Sequence, residues 1–210
     1  MGKRVPVKCK APPRMAGILC LLKQNKAPSC LGLIITYMFL NMDPVALAPI
    51  TTHVETFAGE QAVTTAWADV GIPAEALDIR MGGHADINSP MGMLSHLLQF
   101  LRLSPRFASS LHAPVCSTWV PINLATSGRS LARPLGKSIV SSHVAAANKM
   151  VSRLVLMLWL LVSVGVCIVV EQPRGSLMEY HPRFQEFLRC NKMYRTSINM
   201  MDCLSDPMGG

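Results

Sequence analysis

Four places along the chain set small, acidic or thiol side chains directly after an apolar, strand-like run: Phe57-Ala58-Gly59, Asp78, Pro114 to Cys116, and Glu171. In open α/β sheets ligands bind beyond the carboxyl ends of the strands, so residues in these places could share one crevice. Asp78 lies 19 residues beyond Gly59, close to the ~20-residue spacing at which an acid reaches ribose hydroxyls. Gly59 would let backbone approach a ligand closely, and a helix starting there offers free N–H groups to a carboxylate or phosphate. The stretch "FAGEQA" holds one glycine where phosphate-loop and dinucleotide motifs hold several, so neither of those motifs is present. Each residue also has a plain structural use. A glycine after a strand is commonly a turn, an aspartate there a cap, and a free cysteine a small buried hydrophobe.

The elements that must position these residues begin at Thr51. "HVETFAG" reads as a buried strand, "EQAVTTAWADVG" as a helix with Ala62, Ala66 and Val70 at helical spacing, and "AEALDI" as a second strand. Strand, helix and strand make a βαβ unit, which is parallel within one sheet. After the loop "HADINSP" comes an amphipathic helix, "MGMLSHLLQFLRLSP", with Met93, Leu97, Leu98 and Leu101 on one side. "SSLHAPVCSTWV" is a third strand running into a turn, and "PINLATSGRSLARPLGKSIV" a long loop. A helix from Ser142 carries Val144, Ala147, Val151, Leu154, Leu158 and Leu161 in register and breaks at Gly165. "VCIVVEQP" is a further strand and "HPRFQEFLRC" a short helix. Residues 154–170 are uncharged throughout, at the lower limit of a transmembrane span. Gly165 divides them into a Leu/Met-rich helix end and a Val/Ile strand, and a central parallel strand is expected to be an apolar run. The expectation is a buried helix plus strand, and a membrane anchor is the alternative.

Composition sets the frame. Of 210 residues, 50% are hydrophobic and 15% charged, enough apolar material for one core. Seven cysteines, without a CxxC pair, argue against a disulfide framework or zinc site and for an intracellular, reducing compartment such as nucleus, cytoplasm or organelle. No 20–50-residue period repeats, so a solenoid is not indicated. The net charge of +8 is concentrated at the start: residues 1–50 hold seven Lys/Arg and the single Asp43. That segment, basic and Pro-broken with two short apolar runs, is expected to be an irregular leader or a targeting segment, with an added helix as a further reading. Residues 51–190 are expected to form the α/β domain, and 191–210 an irregular tail.

The order of these motifs resembles the S-adenosylmethionine-dependent methyltransferases, and among them the DNA cytosine-5 type. "ETFAG" (55–59) is similar to that family's opening strand turn, "ALDI" supplies the acid after the second strand, and Asp86-Ile87 in "HADIN" the Asp-Ile pair that follows. "PVC" (114–116) is a partial match to its PPC turn and "VVEQP" (169–173) to its EN(V/P) strand end. The resemblance covers roughly residues 53–188. It implies a Rossmann-like parallel sheet of the class I methyltransferase type, incomplete at the C-terminus, and S-adenosylmethionine as cofactor. It further implies that Phe57, Ala58, Gly59 and Pro114 line the cofactor, that Asp78 takes the ribose hydroxyls, and that Asp86 and Ile87 flank the adenine. Cys116 would be the nucleophile that adds to a pyrimidine ring, with Glu171 steadying the ring's nitrogen edge. Such chemistry needs an exposed thiol of lowered pKa, a carboxyl beside the ring nitrogen, and a base that is single-stranded or flipped out. The chain departs from the family at Val115, Ser117 and Gln172, and at Gln61 and Ala62 where glycines normally stand. The family's QxRxR-like strand, target-recognition region and closing motif have no counterpart in the 22 residues after Leu188.

Between Asp86 and Glu171 there is no acidic residue, whereas Arg102, Arg106, Arg129, Arg133, Lys137, Lys149 and Arg153 supply seven positive charges. Arg129, Arg133 and Lys137 fall in the long loop after Cys116, where in the family the loop closes over the flipped base. They are the candidate nucleic-acid contacts. Trp119 and Trp159 read as core or pocket wall. His84, His96, His112 and His143 show no metal-ligand spacing, so no metal is expected. Nucleic acid is the expected partner and a membrane is not. The alternatives to an enzyme are a catalytically inactive methyltransferase-fold protein acting only in binding, and a small membrane protein anchored by 154–170.

Overall fold

The computed structural model describes residues 13–104 and 107–198. Four short parallel strands, β1 (His53–Thr56), β2 (Ala74–Leu77), β3 (Ser109–His112) and β4 (Cys167–Val170), form one sheet in the order β2-β1-β3-β4. The register pairs Thr56 with Leu77 and with His112, and His112 with Val170, so all four strands end at one level. The chain leaves β1 toward β2 and then crosses to β3 on the other side. The reversal point, where such sheets open a crevice, therefore lies between β1 and β3. The protein is thus α/β with a parallel sheet.

Two helices precede the sheet, α1 (Pro13–Gln24) and α2 (Ser29–Asn41); α3 (Ala62–Asp69), α4 (Pro90–Leu101), the single turn α5 (Leu124–Ser127) and α6 (Ser142–Ser163) lie between strands, and α7 (Pro182–Cys190) follows the last. Three begin on side-chain caps that accept a first-turn N–H: Ser89 from Gly92, Ser141 from Val144, and His181 from Arg183. The centre of the core is α6, which packs against α1, α4, α7 and β4. Every residue from Leu154 to Leu161 is buried, as a helix apolar all round requires. Although α6 is long and apolar enough to cross a membrane by composition, it ends at Ser163. Gly165, at φ 78, turns the chain into β4, so 154–170 is a helix followed by a strand.

Two expectations are corrected. Residues 13–41 are not an irregular leader: α1 and α2 form a hairpin whose Ile18, Leu22, Leu31, Ile35 and Met38 join the main core. Two apolar runs too short to span a membrane are long enough to bury one face each, and the intervening "NKAP" supplies the turn, with Lys26 at φ 58. The second correction concerns α3. Ala62, Ala66 and Val70 face outward, and its inner side is instead Val63, Thr64 and Trp67. Polar partners decide the orientation: the Thr64 N–H and hydroxyl both donate to the buried Glu55 at 2.7 Å, and Trp67 stacks on His53 at 5.5 Å. Residues 191–198 carry no regular element, and the rest of the expected tail lies outside the described residues.

Candidate active site

The turn after β1 is tightly wound. Phe57, Gly59 and Gln61 have φ of 59°, 53° and 57°, so the chain alternates through the left-handed region before α3 begins. For Phe57 and Gln61 that conformation costs about 1–2 kcal/mol each, and it must be held by its surroundings. The restraint is visible. The Phe57 N–H donates to the Leu77 carbonyl at 2.8 Å, and the Gly59 N–H donates to Asp78 Oδ2 at 2.9 Å. Asp78 Oδ1 accepts the Arg80 N–H at 2.9 Å. The two residues that the sequence places 19 apart are thus directly bonded across the β1–β2 edge. The Gly59 N–H is therefore spent on Asp78 rather than left for a ligand, and Thr64's N–H is spent on Glu55. Asp78 is half-buried, and each carboxylate oxygen retains acceptor capacity for a further donor.

The Asp86–Ile87 segment is held from two sides. Arg153 donates to the carbonyls of Ile87 and Ser89, both at 2.7 Å. Gly92 approaches the Asp86 carbonyl so closely that a β-carbon there would lie 1.8 Å from the oxygen. Asp86 is half-buried and caps Asn88. Ile87, expected beside an adenine, is 4% exposed and belongs to the core, so its side chain is not an open pocket wall.

The other half of the edge comes from β3 and β4. The Glu171 N–H extends the ladder by donating to the His112 carbonyl at 2.8 Å. Gln172 Nε2 then donates to the Pro114 carbonyl at 2.7 Å, and its Oε1 accepts the Ser176 hydroxyl at 2.8 Å. Gln172 is therefore the tie between the cysteine turn and the glutamate turn. Its role was hidden in the sequence because the bond spans 58 residues. Pro114 and Ala58 are buried, Phe57 and Cys116 half-buried, and Glu171 exposed. Beside Cys116, the Ser117 hydroxyl and His143 Nε2 stand 3.4 Å apart.

Below this edge lies a buried polar layer. His112 is fully buried, with Nδ1 2.6 Å from the Thr56 hydroxyl and Nε2 3.1 Å from the Ser110 hydroxyl. Burial, and then the neighbouring His96 and His53, push its pKa down to about 3. It stays neutral and orders the sheet rather than serving as a base.

The loop after Cys116 corrects one expectation. Arg129 is 3% exposed and cannot meet a phosphate. Its guanidinium lies 3.3 Å over the Trp119 ring and donates to Pro134 O, Asn148 Oδ1 and Thr118 Oγ1. Burial lowers its pKa to about 10, which leaves it charged at neutral pH. Arg133 and Lys137 are exposed. Among the described residues no three His, Cys, Asp or Glu side chains converge as a metal site. Two shallow surface depressions, one along α3 and one beside the start of β4, are not lined by Asp78, Cys116 or Glu171. No protein-family model, no curated protein and no solved structure matches the chain.

Proposed function

We propose that the chain is a Rossmann-like methyltransferase domain of the cytosine-5 kind, which binds S-adenosylmethionine and transfers its methyl group to a nucleic-acid base. The observation that carries this reading is the order of side chains along one sheet edge. Asp78 and Gly59 stand together just beyond the ends of β2 and β1, and Cys116 and Glu171 stand on the adjoining β3 and β4 turns, tied by Gln172. A donor half and an acceptor half thus meet at the reversal point between β1 and β3.

The residues fit the cofactor best at its ribose end, where Asp78 is oriented by two backbone N–H groups and has acceptor capacity left. They fit less at the adenine end, where Ile87 is withdrawn into the core. When bound, the cofactor would supply an electrophilic methyl on a sulfonium. Cys116 would add to the pyrimidine ring as thiolate and leave when the methylated carbon loses its proton. Glu171 would hold the ring's nitrogen edge, while Arg133 and Lys137 would meet phosphate. A second reading, a binding protein that has the fold without the reaction, is favoured by the inward turn of Arg129.

Calorimetric titration of the full chain with S-adenosylmethionine, beside Asp78→Ala, tests the first half. Micromolar binding weakened at least about tenfold in the variant supports it, and no binding by folded protein overturns it. Transfer of labelled methyl to single-stranded DNA or RNA tests the second half. Loss of transfer with retained cofactor binding in Cys116→Ser is the expected result, and binding without any transfer by the parent chain selects the binding-only reading.

A further inference from the structure

The α1–α2 hairpin has a second face that the domain does not use. Leu31, Ile35 and Met38 of α2 point into the core, whereas Leu33, Tyr37 and Leu40 are 72%, 65% and 61% exposed. These three recur at i, i+4 and i+7, and exposed Cys30 continues the same stripe. No charged residue interrupts α2 from Ser29 to Asn41. A soluble surface helix normally sets charges on its outer side, so this helix is apolar on both.

The chain around it is predominantly basic: residues 1–50 hold seven Lys/Arg against the single Asp43, which is exposed two residues beyond the end of α2. Arg14 is committed inside, donating to the Leu47 and Leu101 carbonyls, but Lys23 and Lys26 are exposed at the turn of the hairpin. The hairpin is also anchored away from the candidate active site. Arg14 meets the C-terminal end of α4, and Asn25 donates to Ser163 at the C-terminal end of α6, at 3.1 Å. Those helix ends lie on the side of the sheet where strands begin, opposite the edge that carries Cys116 and Glu171.

We propose that the outer face of α2 is a docking surface for an anionic lipid membrane. The helix would lie in the interface with Leu33, Tyr37 and Leu40 among the acyl chains, and the basic N-terminal region would be drawn to the headgroups. Thirteen residues rise only ~20 Å as a helix, so α2 lies on the bilayer and does not cross it. The charge selects this partner over a second copy of the chain. Two such faces brought together would oppose two basic segments, whereas phosphatidylserine-type headgroups attract them. Docked in this way, the strand-end site remains open on the far side.

The test is cosedimentation of the full chain with vesicles of phosphatidylcholine alone and of phosphatidylcholine mixed with phosphatidylserine. The expected result is binding to the mixed vesicles only, weakened by added salt. Leu33→Glu/Tyr37→Glu/Leu40→Glu should lower the bound fraction at least about tenfold, and Lys23→Glu/Lys26→Glu should lower it through charge alone. All five positions are exposed, so the circular dichroism of the variants should match that of the parent. No binding to mixed vesicles overturns the proposal, as does equal binding by the apolar-face variant. A face-dependent dimer in sedimentation equilibrium without vesicle binding also overturns it and assigns the face to a second copy. None of these outcomes depends on whether S-adenosylmethionine binds.

Discussion

Arg129 shows how far a single side chain can stand from its reading in sequence. Three basic residues of one loop, Arg129, Arg133 and Lys137, share a composition and a neighbourhood, yet only the last two reach solvent. Arg129 is held without a carboxylate, by three oxygen acceptors and the face of Trp119. A guanidinium tolerates this because it is planar, stacks on aromatic rings and is weakly hydrated; an ammonium in its place would lose both the stacking and the fork of donors. Removing it leaves buried acceptors unpaired around a void. Arg129→Ala should therefore lower unfolding stability in urea by about 2–4 kcal/mol. Arg133→Ala and Lys137→Ala should leave stability within about 0.5 kcal/mol. If the loop meets nucleic acid, each of these two should also reduce the salt slope of single-strand binding by about 0.7.

At the scale of elements, two glycines in comparable sequence settings do opposite things. Gly17 sits inside α1 with open space around it, in a right-handed helix that any residue adopts. Gly17→Ala should raise stability by about 0.5–1 kcal/mol, because alanine loses less conformational freedom on helix formation. Gly165 also has open space, but its φ of 78° turns α6 into β4. Gly165→Ala should lower stability by about 1–2 kcal/mol through backbone strain alone. Thermal unfolding of the pair followed by circular dichroism separates the two cases. Equal shifts would mean that the α6–β4 turn does not require a left-handed residue. The same turn fixes where β4 begins, and through the β3–β4 register it fixes where Glu171 stands relative to His112.

At the scale of the whole molecule, the buried histidines make folding sensitive to acid. His112 and His181 have pKa values lowered to about 3 and about 4, and His53 and His96 are lowered as well, in each case first by burial. The unfolded chain binds protons at these sites near the ordinary histidine pKa while the folded chain does not. Stability is thus fully present above pH ~6.5 and is lost as pH falls below it. His112 alone should remove about 2 kcal/mol between pH 7.5 and pH 5. Urea denaturation across that range should show the midpoint falling with pH, and His112→Gln should flatten the fall. A pH-independent midpoint in the parent chain would mean that the histidines are solvated.

The sequence by itself determined most of the elements from Thr51 onward, though not the turn α5 inside the expected loop. It placed the four strands, the helix starting at Ser142, the break at Gly165 and the points where Asp78, Cys116 and Glu171 follow their strands. It could do so because periodicity, glycine breaks and caps act within a few residues of one another. Tertiary structure decided the rest. It made residues 13–41 part of the core, rotated α3 to its Thr64 and Trp67 side, and withdrew Arg129 and Ile87 from the surface. It also bonded Gly59 to Asp78 and Gln172 to Pro114. Each of these depends on which distant group supplies a hydrogen-bond acceptor or an apolar wall. A buried charge or polar group is stable only where such a partner is already in place, and the spacing of residues along a chain does not contain that information.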